Sequence, residues 1–293
     1  MTRIGCFIIP RPRTGGTLLA SMLNAHSQIS FCYEIFPELL VAKDGTPFVV
    51  DELIARLDAL SEQSPAEVIK GLVQDNFRVF AARARRSGLE PADLRVALSG
   101  FSGMSLSSDE ARLEFVEALM HLQGNKEDVP VVGAKMKAAP ELLIERHPDA
   151  AFLMLVRDGR DVFASRKTKG NFSRTPQETA QDWIDGLDHF ERHYKGQAAN
   201  AHFVIYENLV ANPEVELAKV MDIMGLDFER AMLHYELSQQ TLFSNAHGHL
   251  SAEQLKSGLN ATSIGKWQTI LSPQEVAEFE QVARPYLEEF EYL

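Results

Sequence analysis

The sequence has little cysteine and no long apolar run, and these two absences exclude several classes of protein. Its 293 residues include only two cysteines, Cys6 and Cys32, which are too few for a disulfide scaffold. We expect both to be buried as small hydrophobic residues. No apolar run approaches the roughly 18 residues that a transmembrane helix requires, and the first apolar run is too short for a signal peptide. We therefore expect a soluble protein in a reducing cytoplasm.

The sequence also has fewer positively charged than negatively charged residues. The chain has 29 Lys and Arg against 41 Asp and Glu, which gives a formal net charge of −12. A general nucleic-acid-binding protein would show a basic surface, so this composition argues against that class. An acidic protein that binds a polyanion must concentrate its positive charge locally. Arg11 and Arg13 are the first place in the sequence where such a concentration begins.

Two common nucleotide-binding signatures are missing from the first loop. No lysine follows the Gly15-Gly16 pair, so the loop is not a Walker A motif, and it is not Gly-x-Gly-x-x-Gly. What is present is an apolar run at residues 4–9, a loop, and an apolar-periodic segment from Leu18. The loop residues are Pro12, Arg13, Thr14, Gly15, Gly16 and Thr17. Such a strand–loop–helix unit favours an anion at the helix N-terminus, although an ordinary turn with solvated arginines is the alternative.

Strand and helix patterns alternate along the chain, which predicts an α/β fold with a mostly parallel central sheet flanked by helices. The length suits one domain spanning residues 1–293. Residues 36–125 are predicted to be a mostly helical insertion that caps the site. The arginines of residues 78–86 are expected on a solvated helix face, with a basic patch as the alternative. Helices are expected from Pro213 and Phe228, and over residues 176–196. Residues 244–262 are predicted to be a loop.

A second charged turn follows a buried apolar run at residues 150–156. Arg157 begins this turn, and Ser165 lies about two helical turns further on. Ligands in open α/β sheets bind beyond the carboxyl ends of the strands. Glu34 follows another predicted strand at residues 28–33, so it is expected near Arg13. An ordinary surface carboxylate at a helix N-terminus is the alternative interpretation of Glu34.

The two motifs together resemble the sulfotransferase family, whose members transfer a sulfuryl group from 3'-phosphoadenosine 5'-phosphosulfate (PAPS). The 5'-phosphosulfate loop of that family is similar to the stretch from Pro12 to Thr17, and its 3'-phosphate motif is similar to Arg157 with Ser165. The similarity is greatest to the tyrosylprotein sulfotransferase-like bacterial branch. It covers most of the chain except roughly residues 36–125, and it implies a P-loop-like three-layer fold.

The resemblance also implies roles for individual residues. Glu34 corresponds to the general base, and Arg13 and Lys135 to the groups that stabilise the leaving group; either Lys135 or Lys137 could face the donor. Gly16 stands where a hydroxyl residue is usual. Further nucleotide contacts are implied for Lys169, Tyr206, Ser251, Asn260 and Lys266. No metal is required, and the acceptor is expected to be a small or medium-sized hydroxyl or amine compound, with a peptide as one option.

Two other functions compete with this interpretation. A kinase-like phosphotransferase on the same kind of fold is disfavoured by the missing Walker lysine. A non-catalytic nucleotide-binding interaction protein is favoured by Gly16 and by the altered segment after Lys135. Histidines offer no better candidates: His26 closes a helix and is expected to be structural, and His247 and His249 lack a third ligand at fixed spacing for a metal.

Overall fold

The computed structural model of the protein describes residues 2–61, 75–168, 173–238 and 252–293. Its centre is a five-stranded sheet in the order β2-β3-β1-β4-β5, and every pairing between these strands is parallel. This confirms the predicted mostly parallel sheet. The strands are β1 Arg3–Ile8, β2 Ile29–Tyr33, β3 Val131–Lys135, β4 Ala151–Val156 and β5 Ala201–Ile205.

The strands are continuous apolar runs because helices cover both faces of the sheet. Every residue of β2, β3 and β4 is buried. Cys6 and Cys32 are fully buried free thiols, as predicted. Burial raises the pKa of both cysteines, that of Cys32 to about 12, so they serve as packing residues here.

Two hydrophobic cores lie on opposite faces of the sheet and give the protein three layers. One core packs α1 Gly16–Asn24 and the helices at Tyr206–Ala211 and Pro213–Met224 against Ile8 of β1 and Leu155 of β4. The other packs the larger set of helices against Phe7 and Phe152. In chain order the helices after α1 are α2 Val50–Ser61, α3 Asn76–Arg86, α4 Pro91–Ser99, α5 Asp109–Lys126, α6 Pro140–Arg146, α7 Gly159–Lys167, α8 Pro176–Phe190, α9 Tyr206–Ala211, α10 Pro213–Met224, α11 Ala252–Lys256, α12 Trp267–Ile270 and α13 Pro273–Glu289.

The described part of residues 36–125 is mostly helical, as predicted. It contains a 3₁₀ helix at Pro37–Leu40 followed by α2, α3, α4 and α5. The side chain of Asp75 caps α3 by accepting a hydrogen bond from the backbone N–H of Phe77 at 2.9 Å. Helix α3 packs against both the 3₁₀ helix and β2, so its side chains reach the end of that strand.

Three element predictions differ from the structure. The helix expected from Phe228 is a 3₁₀ helix, Arg230–Leu237, that kinks at His234. The helix expected over residues 176–196 ends as α8, and a π-helix follows at Glu191–Lys195. The loop expected at 244–262 contains α11 in its described part; a five-residue helix that buries Leu255 is too short to show a periodic pattern. Residues 244–251 lie outside the described residues.

None of the helices in the described ranges has the length and apolar content needed to cross a membrane.

Candidate active site

A cleft of about 1370 Å³ opens at the carboxyl edge of the sheet. Each of the five strands contributes a residue that lines it, at or just beyond the end of the strand. In strand order along the chain, these residues are Arg13, Glu34, Lys135, Arg157 and Tyr206. This is the edge at which parallel α/β sheets bind their ligands. The two arginine-bearing turns, which are far apart in sequence, therefore share one cleft.

The loop between β1 and α1 is built around a left-handed turn. Gly15 has φ 100°, and a Cβ at this position would lie 2.5 Å from the ring of Tyr206. Helix α1 starts at Gly16 without a side-chain cap from the described residues, so its first N–H groups are available to an anion. Thr17 lines the cleft, whereas the buried Thr14 donates its hydroxyl to the carbonyl of Arg11 at 3.1 Å and holds the loop.

Hydrogen bonds join the two arginine turns directly. Arg157 donates from Nη1 to the backbone carbonyl of Arg13 at 3.1 Å, and Arg13 donates from Nε to the Ser165 hydroxyl at 2.9 Å. The guanidinium of Arg157 stacks 4.9 Å from the ring centroid of Tyr206. Arg157 is buried, and its Nε has no hydrogen-bond partner among the described residues. Arg157 lines the cleft, and a buried donor that lacks a partner is suited to an anion.

Asp161 anchors the segment of residues 260–267, part of which lines the cleft. Its carboxylate accepts hydrogen bonds from the backbone N–H groups of Gly265 at 2.7 Å and Trp267 at 2.9 Å. Burial raises the pKa of Asp161, while these amides and Arg157 act in the opposite direction. Asn260 and Lys266, both predicted to contact the nucleotide, line the cleft on this segment. Asp161 belongs to the second charged turn, but the sequence did not predict this role for it.

Glu34 and Lys135 form an ion pair beside the loop. Lys135 donates from Nζ to Glu34 Oε1 at 2.8 Å and to the Thr17 hydroxyl at 3.1 Å. Lys137 also borders the cleft, but its side chain is 67% exposed and it pairs with Glu38 at 3.4 Å. Of the two lysines, Lys135 is the one that contacts both the loop and Glu34.

The prediction of a solvated arginine face on α3 is wrong for three of its arginines, because the side chains of Arg83, Arg85 and Arg86 are only 24%, 11% and 10% exposed. Arg86 is buried, and Nη1 lies 3.5 Å from Glu34 Oε2; Arg83 Nε lies 3.8 Å from the same oxygen. Both line the cleft. Their spacing of three residues places them on one face of the helix, and that spacing was the available signal. The contact itself depends on how α3 docks against β2.

The described lining of the cleft is strongly basic although the protein is acidic. Its acidic residues are Glu34, Asp161 and Asp182. Its basic residues are Arg11, Arg13, Arg83, Arg86, Lys135, Lys137, Arg157, Arg166, Arg174 and Lys266. Burial and the neighbouring Arg157 lower the pKa of Arg13. An anion in the cleft would relieve this repulsion between buried cations.

The remaining candidates from the sequence fall into two groups. Lys169, Ser251, His247 and His249 are outside the described residues. His26 is buried and structural: its Nδ1 accepts from the backbone N–H of Gln28 at 3.0 Å, and its Nε2 lies 2.9 Å from the carbonyl of Asp227. In the part of the chain that the structure describes, no group of three or more His, Cys, Asp or Glu residues is arranged to hold a metal ion.

Comparison with known proteins adds independent findings. Residues 6–230 match the family model described as "Sulfotransferase family". A Caenorhabditis elegans protein named "Putative protein-tyrosine sulfotransferase" is 26% identical over 147 residues, which is 48% of this chain and 56% of that protein. The chain spans about half the length of the curated relatives it matches.

Two solved structures share the fold over almost the whole chain. One is a sulfotransferase domain from the curacin biosynthetic pathway, with a TM-score of 0.62, 18% identity and 98% coverage of both chains. The other is a sulfotransferase domain from the Synechococcus PCC 7002 olefin synthase, with a TM-score of 0.58, 18% identity, and coverage of 97% of this chain and 94% of that one. The match to the family model extends over most of the sequence and includes the five cleft residues at the strand ends. The chain therefore belongs to the sulfotransferase family.

Proposed function

We propose that the protein transfers a sulfuryl group from PAPS to a hydroxyl or amine of an acceptor molecule, with Glu34 as the general base. The observation that carries this proposal is the convergence of the two arginine turns in one cleft, joined by the hydrogen bonds of Arg13 and Arg157. A nucleoside with phosphate groups at both its 3' and 5' positions would be held at its two ends by these turns.

The residues present suit such a nucleotide. The 5' end would lie against the loop at Gly15 to Thr17, where the N-terminus of α1 offers backbone N–H groups. The 3'-phosphate would lie at Arg157 and Ser165, where the buried Nε of Arg157 lacks a partner among the described residues. Tyr206, Asn260 and Lys266 border the same space. An arginine that binds phosphate through two parallel hydrogen bonds supplies both charge and orientation.

The reaction requires one proton transfer and one leaving group. The acceptor oxygen or nitrogen attacks sulfur, the bond between sulfur and the bridging oxygen breaks, and adenosine 3',5'-bisphosphate (PAP) leaves. Glu34 takes the acceptor proton, a role worth on the order of 10²–10⁴ in rate. By analogy with phosphoryl transfer, positioning and charge stabilisation dominate the remainder.

Lys135 and Arg13 are the groups proposed to meet the charge that develops on the leaving group. Lys135 already lies between the Thr17 hydroxyl of the loop and the Glu34 carboxylate. It therefore stands at the boundary between the donor and acceptor halves of the cleft. A preorganised donor of this kind is typically worth ~10²–10³ in rate. Peptide tyrosine is one acceptor to test, because curated relatives are named protein-tyrosine sulfotransferases.

The proposal is tested by transfer of labelled sulfate from PAPS to a panel of phenols, amines and tyrosine peptides. Glu34→Gln should lower turnover by roughly 10²–10⁴ because the base is lost, while PAP affinity measured by calorimetry stays within a few-fold. Glu38→Gln is a matched control, since Glu38 is half exposed and pairs only with the rim residue Lys137 among the contacts described. Full activity in both Glu34→Gln and Arg13→Ala would refute the assigned roles. PAP binding without transfer to any acceptor would favour the non-catalytic alternative.

A further inference from the structure

The carboxylate of Glu34 has cations at both of its oxygens, and they come from two different parts of the fold. Oε1 accepts from Lys135, which ends β3 beside the donor loop. Oε2 faces Arg83 at 3.8 Å and Arg86 at 3.5 Å, both from α3 in the helical insertion. One oxygen of the base thus faces the donor half of the cleft, and the other faces the half left for the acceptor.

These cations are well shielded from solvent. The exposed fractions of the Arg83, Arg86 and Lys135 side chains are 24%, 10% and 10%. Burial lowers the pKa of Arg86, and the charge of Glu34 opposes that shift. A single carboxylate is shared among three cations. The donor's phosphosulfate would compensate Lys135, but it lies on the opposite side of Glu34 from the two arginines.

Proton transfer to Glu34 would increase the excess of positive charge around it. When the base accepts the acceptor's proton, its carboxylate becomes neutral, and Arg83 loses the carboxylate with which it pairs. Arginine cannot relieve this by giving up a proton, because its guanidinium stays protonated in proteins. Partly buried cations without a compensating anion are costly. A second negative charge beside the reacting hydroxyl would keep the arginines compensated throughout the reaction.

We propose that Arg83 and Arg86 select acceptors that carry an anionic group on the same small molecule as the reacting hydroxyl. This inference rests on the proposed sulfuryl transfer and names its acceptor class. The arginines lie within 4 Å of the base, so the acid must be close to the hydroxyl. The wall beside them is apolar, with Phe36, Val79 and Ala82 lining the cleft and Arg83 stacked 4.7 Å from the Phe36 ring centroid. An aromatic or other apolar hydroxy acid fits these surroundings.

The experiment compares two acceptors that differ only in charge, 3-hydroxyphenylacetate and its neutral amide. The methylene separates the acid from the ring, so the two phenols have similar reactivity. The wild-type protein should use the acid with a kcat/KM about 10- to 100-fold higher, the range expected for a hydrogen bond to a charged group. Arg83→Gln and Arg86→Gln should each reduce this ratio severalfold or more, mainly by raising KM for the acid. Turnover of the amide should fall less than that of the acid, because the amide loses only the effect of the arginine on Glu34.

Arg85→Gln is the matched control on the same helix. Arg85 pairs with Glu90 at 3.0 Å and does not line the cleft, so the acid-to-amide ratio should stay at the wild-type value. Melting temperature and PAP affinity establish that each variant is folded with its donor site intact. Arg83 has the more exposed side chain of the two, so Arg83→Gln provides the test if Arg86→Gln fails to fold.

The outcomes separate the inference from the function on which it rests. Equal use of acid and amide by the wild-type protein overturns the inference and leaves sulfuryl transfer intact. A ratio that is unchanged in folded Arg83→Gln overturns it as well. No transfer to any acceptor, with PAP still bound, refutes the proposed function, and the acceptor assignment falls with it.

Discussion

Two residues at the centre of the site, Arg13 and Glu34, have a backbone conformation that side chains rarely adopt. Their φ angles are 69° and 59°, in the left-handed region that favours glycine. Each such residue costs of order 1 kcal/mol and persists because the surrounding structure holds it. Arg13 lies in the loop that follows the central strand β1, and Glu34 directly follows the edge strand β2. Their side chains therefore enter the cleft from tight turns instead of from a continuing strand, which suits a site that needs fixed positions.

The neighbouring Gly15 gives the clearest prediction for a single residue. Gly15→Ala combines φ 100° with a Cβ 2.5 Å from the Tyr206 ring, so it should cost about 2 kcal/mol or more in the free energy of unfolding. It should also weaken PAP binding, because Tyr206 supports Arg157. Urea unfolding and calorimetry measure the two effects.

Gly16→Ala is the control for this prediction. A Cβ at position 16 would meet its nearest neighbours, Ile8 and Lys135, at 3.5 Å, an ordinary van der Waals contact. Its stability should therefore change by less than about 0.5 kcal/mol. If Gly15→Ala proved as stable as Gly16→Ala, the described loop geometry would be incorrect.

The convergence of the strand-end residues in one site could be predicted from the sequence, whereas the contact of the α3 arginines with Glu34 could not. Arg13, Glu34 and Arg157 each follow an apolar run, and the rule for parallel sheets puts the ends of such runs together. Arg83 lies 49 residues beyond Glu34 in the chain, and Arg86 lies further still. No local sequence pattern indicates which strand end their helix will contact. Long-range packing, not propensity, decides that contact.

At the scale of elements, α5 is tied to the end of α6 by a shielded ion cluster. Glu117 on α5 accepts from Arg146 Nε at 2.9 Å and from His147 Nε2 at 2.6 Å. Burial alone would raise the pKa of Glu117, but the hydrogen bonds from His147 and Arg146 hold it below its usual range. A lowered folded-state pKa means that the stabilisation is present above about pH 4.3, the usual glutamate value, and is lost as the pH falls through the folded pKa.

Glu117→Gln should therefore destabilise the protein in a pH-dependent way. The free energy of unfolding should fall by about 1–3 kcal/mol at pH 7. This range allows for solvent screening of the ion pair, because the Arg146 side chain is about one-third exposed. The loss should shrink as the pH falls below about 4. Unfolding free energies of both proteins in urea, measured from pH 3.5 to 7, provide the check.

Glu114→Gln, in which a half-exposed partner of Arg146 is removed, should cost less than about 0.5 kcal/mol. A pH-independent difference for Glu117→Gln would contradict this account.

The elements themselves were predictable where burial or capping imposed a pattern. Strand β4 is an unbroken apolar run, and the sequence Ser-Pro-Gln-Glu at residues 272–275 is a capping pattern; α13 begins there, and Ser272 accepts from the Glu275 N–H. The 3₁₀ helix at Arg230–Leu237 and the π-helix at Glu191–Lys195 were not predicted. Their i→i+3 and i→i+5 hydrogen bonds depend on neighbouring helices, and their sequences resemble ordinary helical ones.

At the scale of the whole molecule, the basic cleft stands out against a net charge of −12. Positive charge concentrated in a cleft raises the local concentration of anionic ligands, and salt weakens the effect. The dissociation constant of PAP should therefore rise about tenfold or more between 50 and 500 mM NaCl. Adenosine, which lacks phosphates, serves as the control and should show little salt dependence in calorimetry. Salt-independent PAP binding would mean that the cationic lining does not contact the phosphates.

The most direct measurement is a crystal structure of the protein with PAP bound. The account predicts the 5'-phosphate on the N-terminus of α1 within reach of Lys135, and the 3'-phosphate on Arg157 Nε and the Ser165 hydroxyl. The open space beside the 5' end should be bordered by Glu34, Arg83 and Arg86. A nucleotide bound outside the cleft, or bound within it with its 3'-phosphate away from Arg157, would contradict the account.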